Sequence, residues 1–315
     1  MIYNIIRTKL ALDDALFASP DSVTLSIHPC QSQIARLSNQ QPSSQTEFSG
    51  SLEADTLLSG HWKSYLSSTD MPEINPIRPT TPEAIQLAKN LLRTSRYGAI
   101  AVFDAATGRP LASRVAVATD TNGTPLILVS GLAAHTTGLL ANPACSLLLG
   151  EVGKGDPLAH PRVTLHCKAQ KVERTTPDYT RIRRRYLNHN PKGALYADLG
   201  DFVFFRLELE SASLNGGFGK AFNLTQDNLL CPASPSAAIA EYEQSAIEDL
   251  NKHHALAVTQ IAQQLLKADA IKDQYKVIGL DPDGADIASG DLVLRYTFPS
   301  SPASGGEAVT ALTER

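Results

Sequence analysis

Residues 215–222, "NGGFGKAF", look like a phosphate cradle, because glycines beside a lysine let a backbone approach an anion closely. A Walker A loop spelled on Gly219 and Lys220 also needs a glycine at 214 and a Ser or Thr at 221, where the chain has Leu214 and Ala221. A dinucleotide fingerprint on Gly217 and Gly219 needs a third glycine where Phe222 stands. Both nucleotide spellings fail, and a glycine bulge at a strand end is the alternative.

Nucleophilic catalysis has little to rest on. No serine sits in a GxSxG elbow, and none of the four cysteines (Cys30, Cys145, Cys167, Cys231) has a histidine partner at motif spacing. His253 and His254 are adjacent, so on a helix they point about 100° apart and do not grip one metal as an i, i+4 pair does. The stretch "SGLAAHTTGLLANP" offers more, because it sets Ser130, His135 and Thr136 where a strand ends and a helix begins. The first turn of such a helix presents unpaired N–H groups and a positive dipole end to an anion. Arg114 on a neighbouring strand and Arg162 at the start of a later one add guanidinium forks suited to a phosphate or carboxylate. The alternative is that His135 caps the helix and the arginines make surface pairs.

The elements that must position these residues follow from pattern. Residues 1–79 contain a Ser, Gln, Thr and Pro-rich tract with little periodicity, which predicts a disordered extension. Thr81 as cap and Pro82 at the first position open a helix with Ile85, Leu87, Ala88, Leu91 and Leu92 on one face, ended by Gly98. Apolar runs separated by Gly108 and by Asn122-Gly123 then read as an antiparallel meander. It is interrupted by a short helix with Leu139 and Leu140 facing inward. Val163, Leu165, Cys167 and Ala169 alternate along a half-buried strand. A helix starting at Thr176 and a long strand over "DFVFFRLELESASL" complete the run. Many short antiparallel strands with helices between them predict a small closed barrel, with the glycine loop at its rim. From Ser234 a long helix runs through about Lys267, followed by strands that turn at Asp283-Gly284 and Ser289-Gly290 and by one short closing helix at most. The predicted class is therefore α+β, with a disordered extension at 1–79, a ligand-binding barrel at 80–232 and a small α+β domain at 233–315.

The 315-residue chain is 43% hydrophobic and 19% charged, which fits a globular protein with a proper core. A net charge of −4 and a pI near 6.1 give no electrostatic footprint for nucleic acid. The one basic cluster, Arg181, Arg183, Arg184 and Arg185, reads as a solvated helix face. No apolar run reaches the length of a membrane span, and the N-terminus is broken by Arg7, Lys9, Asp13 and Asp14, which makes it a poor secretory signal. Scattered cysteines without CxxC spacing fit a reducing cytoplasm, and neither a structural metal nor a disulfide framework is expected.

Taken together, "GRPLASRVAVATD", "NGTPLILVSGLAAHTTGLLANP", "GDPLAHPRVTL" and "NGGFGKAF" resemble the FMN-binding split barrels of the pyridoxamine 5'-phosphate oxidase-like superfamily. Within it they resemble the heme-utilisation HugZ/HutZ group. "IEDLNKHHALAV" followed by "KVIGLDPDGADIASGDLVLRYTF" resembles the DUF2470-type domain that accompanies such barrels. The resemblance implies a homodimer with its ligand at the interface, taking FMN in many relatives and heme in the HugZ-like group. In that group heme is cleaved oxidatively to a bilin and iron is released. Arg114, Ser130, His135 and Thr136 match the flavin-phosphate region, Arg162 matches an arginine that contacts heme, and Gly217 and Gly219 fall in the group's glycine block. Two features depart from the pattern. His135 stands where flavin barrels carry lysine, and no histidine lies between His189 and His253, where the group's tail ligand to heme iron falls. The expected function is heme binding and degradation in iron acquisition. The alternatives are an FMN-dependent oxidoreductase on the same barrel and a non-enzymatic regulator that holds a tetrapyrrole or a protein partner.

Overall fold

The computed structural model describes residues 77–150, 152–268 and 273–314. The predicted disordered extension lies outside them through residue 76, as does Cys30. Residues 71–315 form one compact unit.

Helix α1 (Pro82–Thr94) begins as its sequence directs. The Thr81 hydroxyl accepts the Ala84 N–H, Pro82 occupies the first turn, and Ala84, Ala88 and Leu92 are buried. It ends at Ser95, not at Gly98. Gly98 instead lies in strand β1 (Tyr97–Phe103), where a Cβ would come within 2.7 Å of the Leu148 carbonyl oxygen. Its role is close strand packing.

Strands β2 (Pro110–Thr119), β3 (Pro125–Ser130), β4 (Ala144–Leu149), β5 (Arg162–Val172) and β6 (Phe202–Asn215) join β1 in the order β3-β2-β1-β4-β5-β6. Pairing of β3 with β6, from Leu126 opposite Arg206 to Ser130 opposite Phe202, closes the six strands into an antiparallel barrel. Gly108 and Gly123 turn the meander with positive φ, as expected. Inward residues such as Ile100, Val117, Ile127, Leu147 and Leu165 fill the lumen. Cys145 and Cys167 face each other across β4 and β5 as thiols. Burial pushes the Cys145 thiol up to about 11, so neither sulfur is primed for chemistry.

Helix α2 (Ala134–Ala141) packs on β1. A Cβ at Gly138 would meet the Phe103 carbonyl oxygen at 2.6 Å. Only Leu139 of the expected inward pair is buried; Leu140 is 60% exposed, because this single short helix presents one narrow stripe. Helix α3 (Tyr179–His189) starts three residues after Thr176, whose hydroxyl instead donates to the Glu173 carbonyl. It covers Leu126, Leu128 and Phe204 on the outside of the barrel, which leaves β3 buried on both faces.

A strand absent from the sequence reading follows the glycine loop. β7 (Ala221–Thr225) folds back on the distal half of β6, and Ile77 bridges to Ala221 on its other side, with the Arg78 N–H donating to the Ala221 carbonyl. The short helix α4 (Gln226–Leu229) then leads out of the barrel.

The expected single helix after Ser234 is two, α5 (Ala233–His253) and α6 (Ala255–Leu266), broken at His254 without glycine or proline. Both bury a face in one core, Ile239, Ile247 and Leu250 from the first, Val258 and Ile261 from the second. With the antiparallel strands β8 (Lys276–Asp281), β9 (Gly284–Ser289) and β10 (Leu292–Thr297) and the closing helix α7 (Gly305–Thr313), they form the expected small α+β module. No helix among the described residues is long and apolar enough to cross a membrane.

The arginines of α3 are not a solvated face. Arg185 is 4% exposed and bonds the buried Glu243 of α5, the Leu280 carbonyl at 2.9 Å and the Thr119 carbonyl at 2.8 Å. Arg184 also reaches Glu243, while Arg181 bonds Asp120 and Arg183 bonds Asp198. Beside them Arg93 meets Asp281 at 3.3 Å, and Arg295 grips Asp281 at 2.5 and 2.6 Å. Burial alone would raise the Asp281 pKa, but Arg295 and Arg93 hold it well below the carboxylate range. The barrel and the module are thus joined through buried charge.

Candidate functional site

The predicted site residues fall into two groups. The first gathers where β3 runs into α2. Ser130 ends β3, and its hydroxyl donates to Asp201 Oδ2 at 2.8 Å while accepting the Leu132 N–H at 3.2 Å. The Thr136 hydroxyl turns back to the Ser130 carbonyl at 2.6 Å. Both hydroxyls are therefore engaged locally, and a carboxylate stands where an anion was expected. Asp201 was missed in the sequence, since only the β3–β6 pairing brings it to Ser130.

His135, in the first turn of α2, is half-buried with Nδ1 at 3.1 Å from Ser113 Oγ. Burial lowers its pKa, so the ring is neutral at pH 7. No hydrogen bond or ion pair holds Nε2 among the described residues, and in the tautomer whose Nδ1–H donates to Ser113 it keeps its lone pair.

Arg114 follows Ser113 but projects to the other face of β2, the outer one, where its guanidinium lies 5.4 Å from the Tyr97 ring centroid. No hydrogen bond joins it to His135 among the described residues. It enters no ion pair there either.

The second group is at the opposite end of β5. Arg162 pairs in register with Asn215, and its Nη1 donates to the carbonyls of Leu158 and His160 at 3.2 and 3.4 Å. Gly217 and Gly219 take φ of +111° and +67°, values that favour glycine, and the Gly217 N–H donates to Asn215 Oδ1 at 3.0 Å. A Cβ at Gly217 would lie 3.0 Å from the Ala159 carbonyl oxygen. The loop is thus a hairpin from β6 to β7 packed on the 157–161 segment. Phe218 at its tip is exposed.

Arg114 and Arg162 share the outer face of the barrel. Between them Ala99, Ala101, Ser146, Thr164 and Ser213 point the same way and leave a low surface. His166 rises from it, with Nδ1 at 3.3 Å from Ser146 Oγ and Nε2 at 3.5 Å from Ser213 Oγ. Tyr97, Phe103 and Leu148 are 44, 47 and 42% exposed on this face.

Residues 79–229 match the CREG beta-barrel family. Over 241 residues, 73% of this chain and 72% of its relative, the protein is 29% identical to the chloroplastic non-canonical heme oxygenase HOZ of Arabidopsis thaliana. It superposes on a crystal structure of a protein of unknown function from Agrobacterium tumefaciens with a TM-score of 0.63 and 28% identity, covering 75% of this chain and 97% of that one. A heme binding protein from Mycobacterium smegmatis aligns with a TM-score of 0.44 and 24% identity over 75% of this chain and 96% of that one. The matched residues span the six-stranded antiparallel barrel.

Within that barrel, Asp201 and the Ser113 to His135 contact are features sequence motifs do not encode. Cys231, Asp281 and Asp283 place possible metal-ligand atoms within 4.8 Å of one another. Arg295, Arg93 and Lys89 already neutralise the two carboxylates, so the cluster is an ion-pair knot in the junction.

Proposed function

We propose that this protein binds heme and degrades it oxidatively to a bilin, releasing iron for acquisition. The 29% identity to a heme oxygenase across nearly three quarters of both chains supports the reading. The single observation that carries the site is His135. Its Nδ1 is tied to Ser113, burial keeps it neutral, and its Nε2 is unbonded among the described residues. That is how a metal-ligating imidazole is usually held, with one nitrogen oriented by a hydrogen bond and the other offered to the iron. His135 is thus the proposed iron ligand in a chain without the tail histidine of HugZ-like proteins.

Arg162 and Arg114, on the outer face of the barrel and not on the Ser113 side of β2, lack carboxylate partners among the described residues, so each is suited to an anionic group presented at that face. Gly217 and Gly219 keep the adjacent hairpin low. At its broadest the reading is a barrel that takes heme or flavin. The engaged hydroxyls of Ser130 and Thr136, and Asp201 beside them, favour heme over an FMN phosphate at this spot. A second copy covering Tyr97, Phe103 and Leu148 would make the homodimer and seat the ligand at its seam. We read residues 233–315 as the DUF2470-type domain, supported by a core separate from the barrel's, and the setting as the cytoplasm.

Hemin titration of the purified protein tests this. A saturable Soret band at one heme per chain is expected, lost to a bilin on adding ascorbate in air. His135→Ala should displace or abolish the band, and His166→Ala should keep it. A protein that takes up no heme sinks the reading; an unchanged spectrum in His135→Ala removes the proposed ligand.

A further inference from the structure

Of the three described cysteines, Cys145 and Cys167 stand directly opposite each other in the β4–β5 ladder, and both are thiols. The register is unbroken there, from Ala144 opposite Lys168 to Leu149 opposite Val163. Just beyond Ala144 and Lys168, the Ala169 N–H donates to the Pro143 carbonyl at 2.8 Å, which marks 143 and 169 as a hydrogen-bonded pair. Such pairs alternate along an antiparallel ladder, so Cys145 and Cys167 form the next one. Their α-carbons are then about 5.5 Å apart, a separation at which disulfides are common.

A buried cysteine usually serves as a small apolar filler, and both of these belong to the barrel core, Cys145 at 8% and Cys167 at 2% exposure. What sets them apart is that each faces the other. Burial raises the Cys167 thiol, and the neighbouring Cys145 raises it further. Alone, either sulfur is a poor nucleophile, which makes the pair slow to react and closed to bulky reagents. A peroxide is small enough to enter when the barrel opens locally, and the second thiol is already in place to trap the product.

We propose that Cys145 and Cys167 are an oxidative modification site, closed to a disulfide by hydrogen peroxide and reopened by thiols. Cys145, the less buried, reacts first. Its thiolate attacks one peroxide oxygen, the O–O bond breaks, and a sulfenic acid and water result. The Cys167 sulfur then attacks the Cys145 sulfur, the S–O bond breaks, and a second water leaves with the Cys167 proton. Each sulfur has given one electron, and the peroxide has taken both to become two waters. The bond ties together the two ends of the connection that carries Arg162 and the 157–161 segment, and so stiffens the support of the glycine hairpin. In a reducing compartment the pair stays open and answers only sustained peroxide. The proposal does not rest on the heme reading.

Hydrogen peroxide added to the full chain, followed by alkylation in denaturant and peptide mass mapping, tests this. The expected product is a link between Cys145 and Cys167, with both alkylation sites lost and then restored by dithiothreitol. The Cys30→Ala/Cys231→Ala variant, which keeps only this pair, should respond as the wild type does. Linking residues 22 positions apart restricts the unfolded chain, so the oxidised protein should melt about 5–10 °C above the reduced one. Cys145→Ala should give neither link nor shift, and the wild-type peptide map stands whether or not that variant folds. Peroxide that leaves both thiols open to alkylation overturns the proposal, as does oxidation of Cys145 to its sulfinic or sulfonic acid without a link, or a link from either cysteine to a different one. A linked protein that melts no higher than the reduced one overturns the fit of the bond to the ladder.

Discussion

Replacing Glu243 by alanine strikes the junction at a fully buried acid. Glu243 is fully buried, receives Arg185 and Arg184, and accepts the Leu280 N–H at 3.1 Å. Without it Arg185 remains buried with only the Thr119 and Leu280 carbonyls as partners. Leaving one charge of a buried pair uncompensated costs about 3–5 kcal/mol. For a unit spanning residues 71–315 each kcal/mol moves the thermal midpoint by about 2–4 °C, so a drop of about 6–20 °C is expected. Urea unfolding followed by far-ultraviolet circular dichroism measures the free-energy loss directly. Removing both charges, in Glu243→Leu/Arg185→Met, should recover most of it, because a packed apolar pair has no desolvation to offset. A loss under about 1 kcal/mol in Glu243→Ala, the value of a surface pair, would refute the buried-charge account. So would a double variant no more stable than the single.

Stability should hold from pH 8 to about 6.5 and decline below it. Burial lowers the pKa of His189, so below the ordinary histidine value the unfolded chain binds a proton that the folded chain refuses, and stability is lost as pH falls. His189→Gln should flatten that slope in pH-dependent unfolding. Asp281, held low chiefly by Arg295 and Arg93 against its burial, adds stability that is full above the ordinary carboxylate range and is lost progressively as pH falls below it. Gly98→Ala should destabilise by about 1–3 kcal/mol, since its Cβ meets the Leu148 carbonyl at 2.7 Å; a neutral result in denaturant titration would mean that β1 and β4 can part. Lys267 caps α6 with φ of +51°, so Lys267→Gly should stabilise by about 1 kcal/mol in the same assay. Hemin affinity should survive below pH 6.5 before falling, because the lowered pKa of His135 keeps Nε2 unprotonated there.

Features legible in the sequence were those written in neighbouring residues: the Thr81 cap, the Gly108 and Gly123 turns, the alternation along β5. Those that needed distant partners were not. Arg185 reads as a helix-face cation until Glu243, 58 positions away, is folded against it. Asp201 reaches Ser130 only across 71 positions through barrel closure. β7 is five residues after a glycine loop, too short for its alternation to register beside the helix that follows. The break at His254 has no local mark either, because packing of two helices around one core decides it. Of the site, the residue types were readable; the face each occupies was not, since Ser113 and Arg114 differ by one position and point opposite ways.

The short contact of Ile77 and Arg78 with Ala221 has a consequence for solubility. Strand β7 pairs with β6 on one side only, and a bare strand edge invites pairing with another molecule. The chain just before α1 lies along that edge, through the Ile77 bridge, the Arg78 N–H to Ala221 and the Thr80 hydroxyl to the Asn223 carbonyl at 2.8 Å. Those residues work as a seal. A chain trimmed to begin at Thr81 would keep its helix cap and its barrel, yet expose a raw edge and aggregate by strand addition.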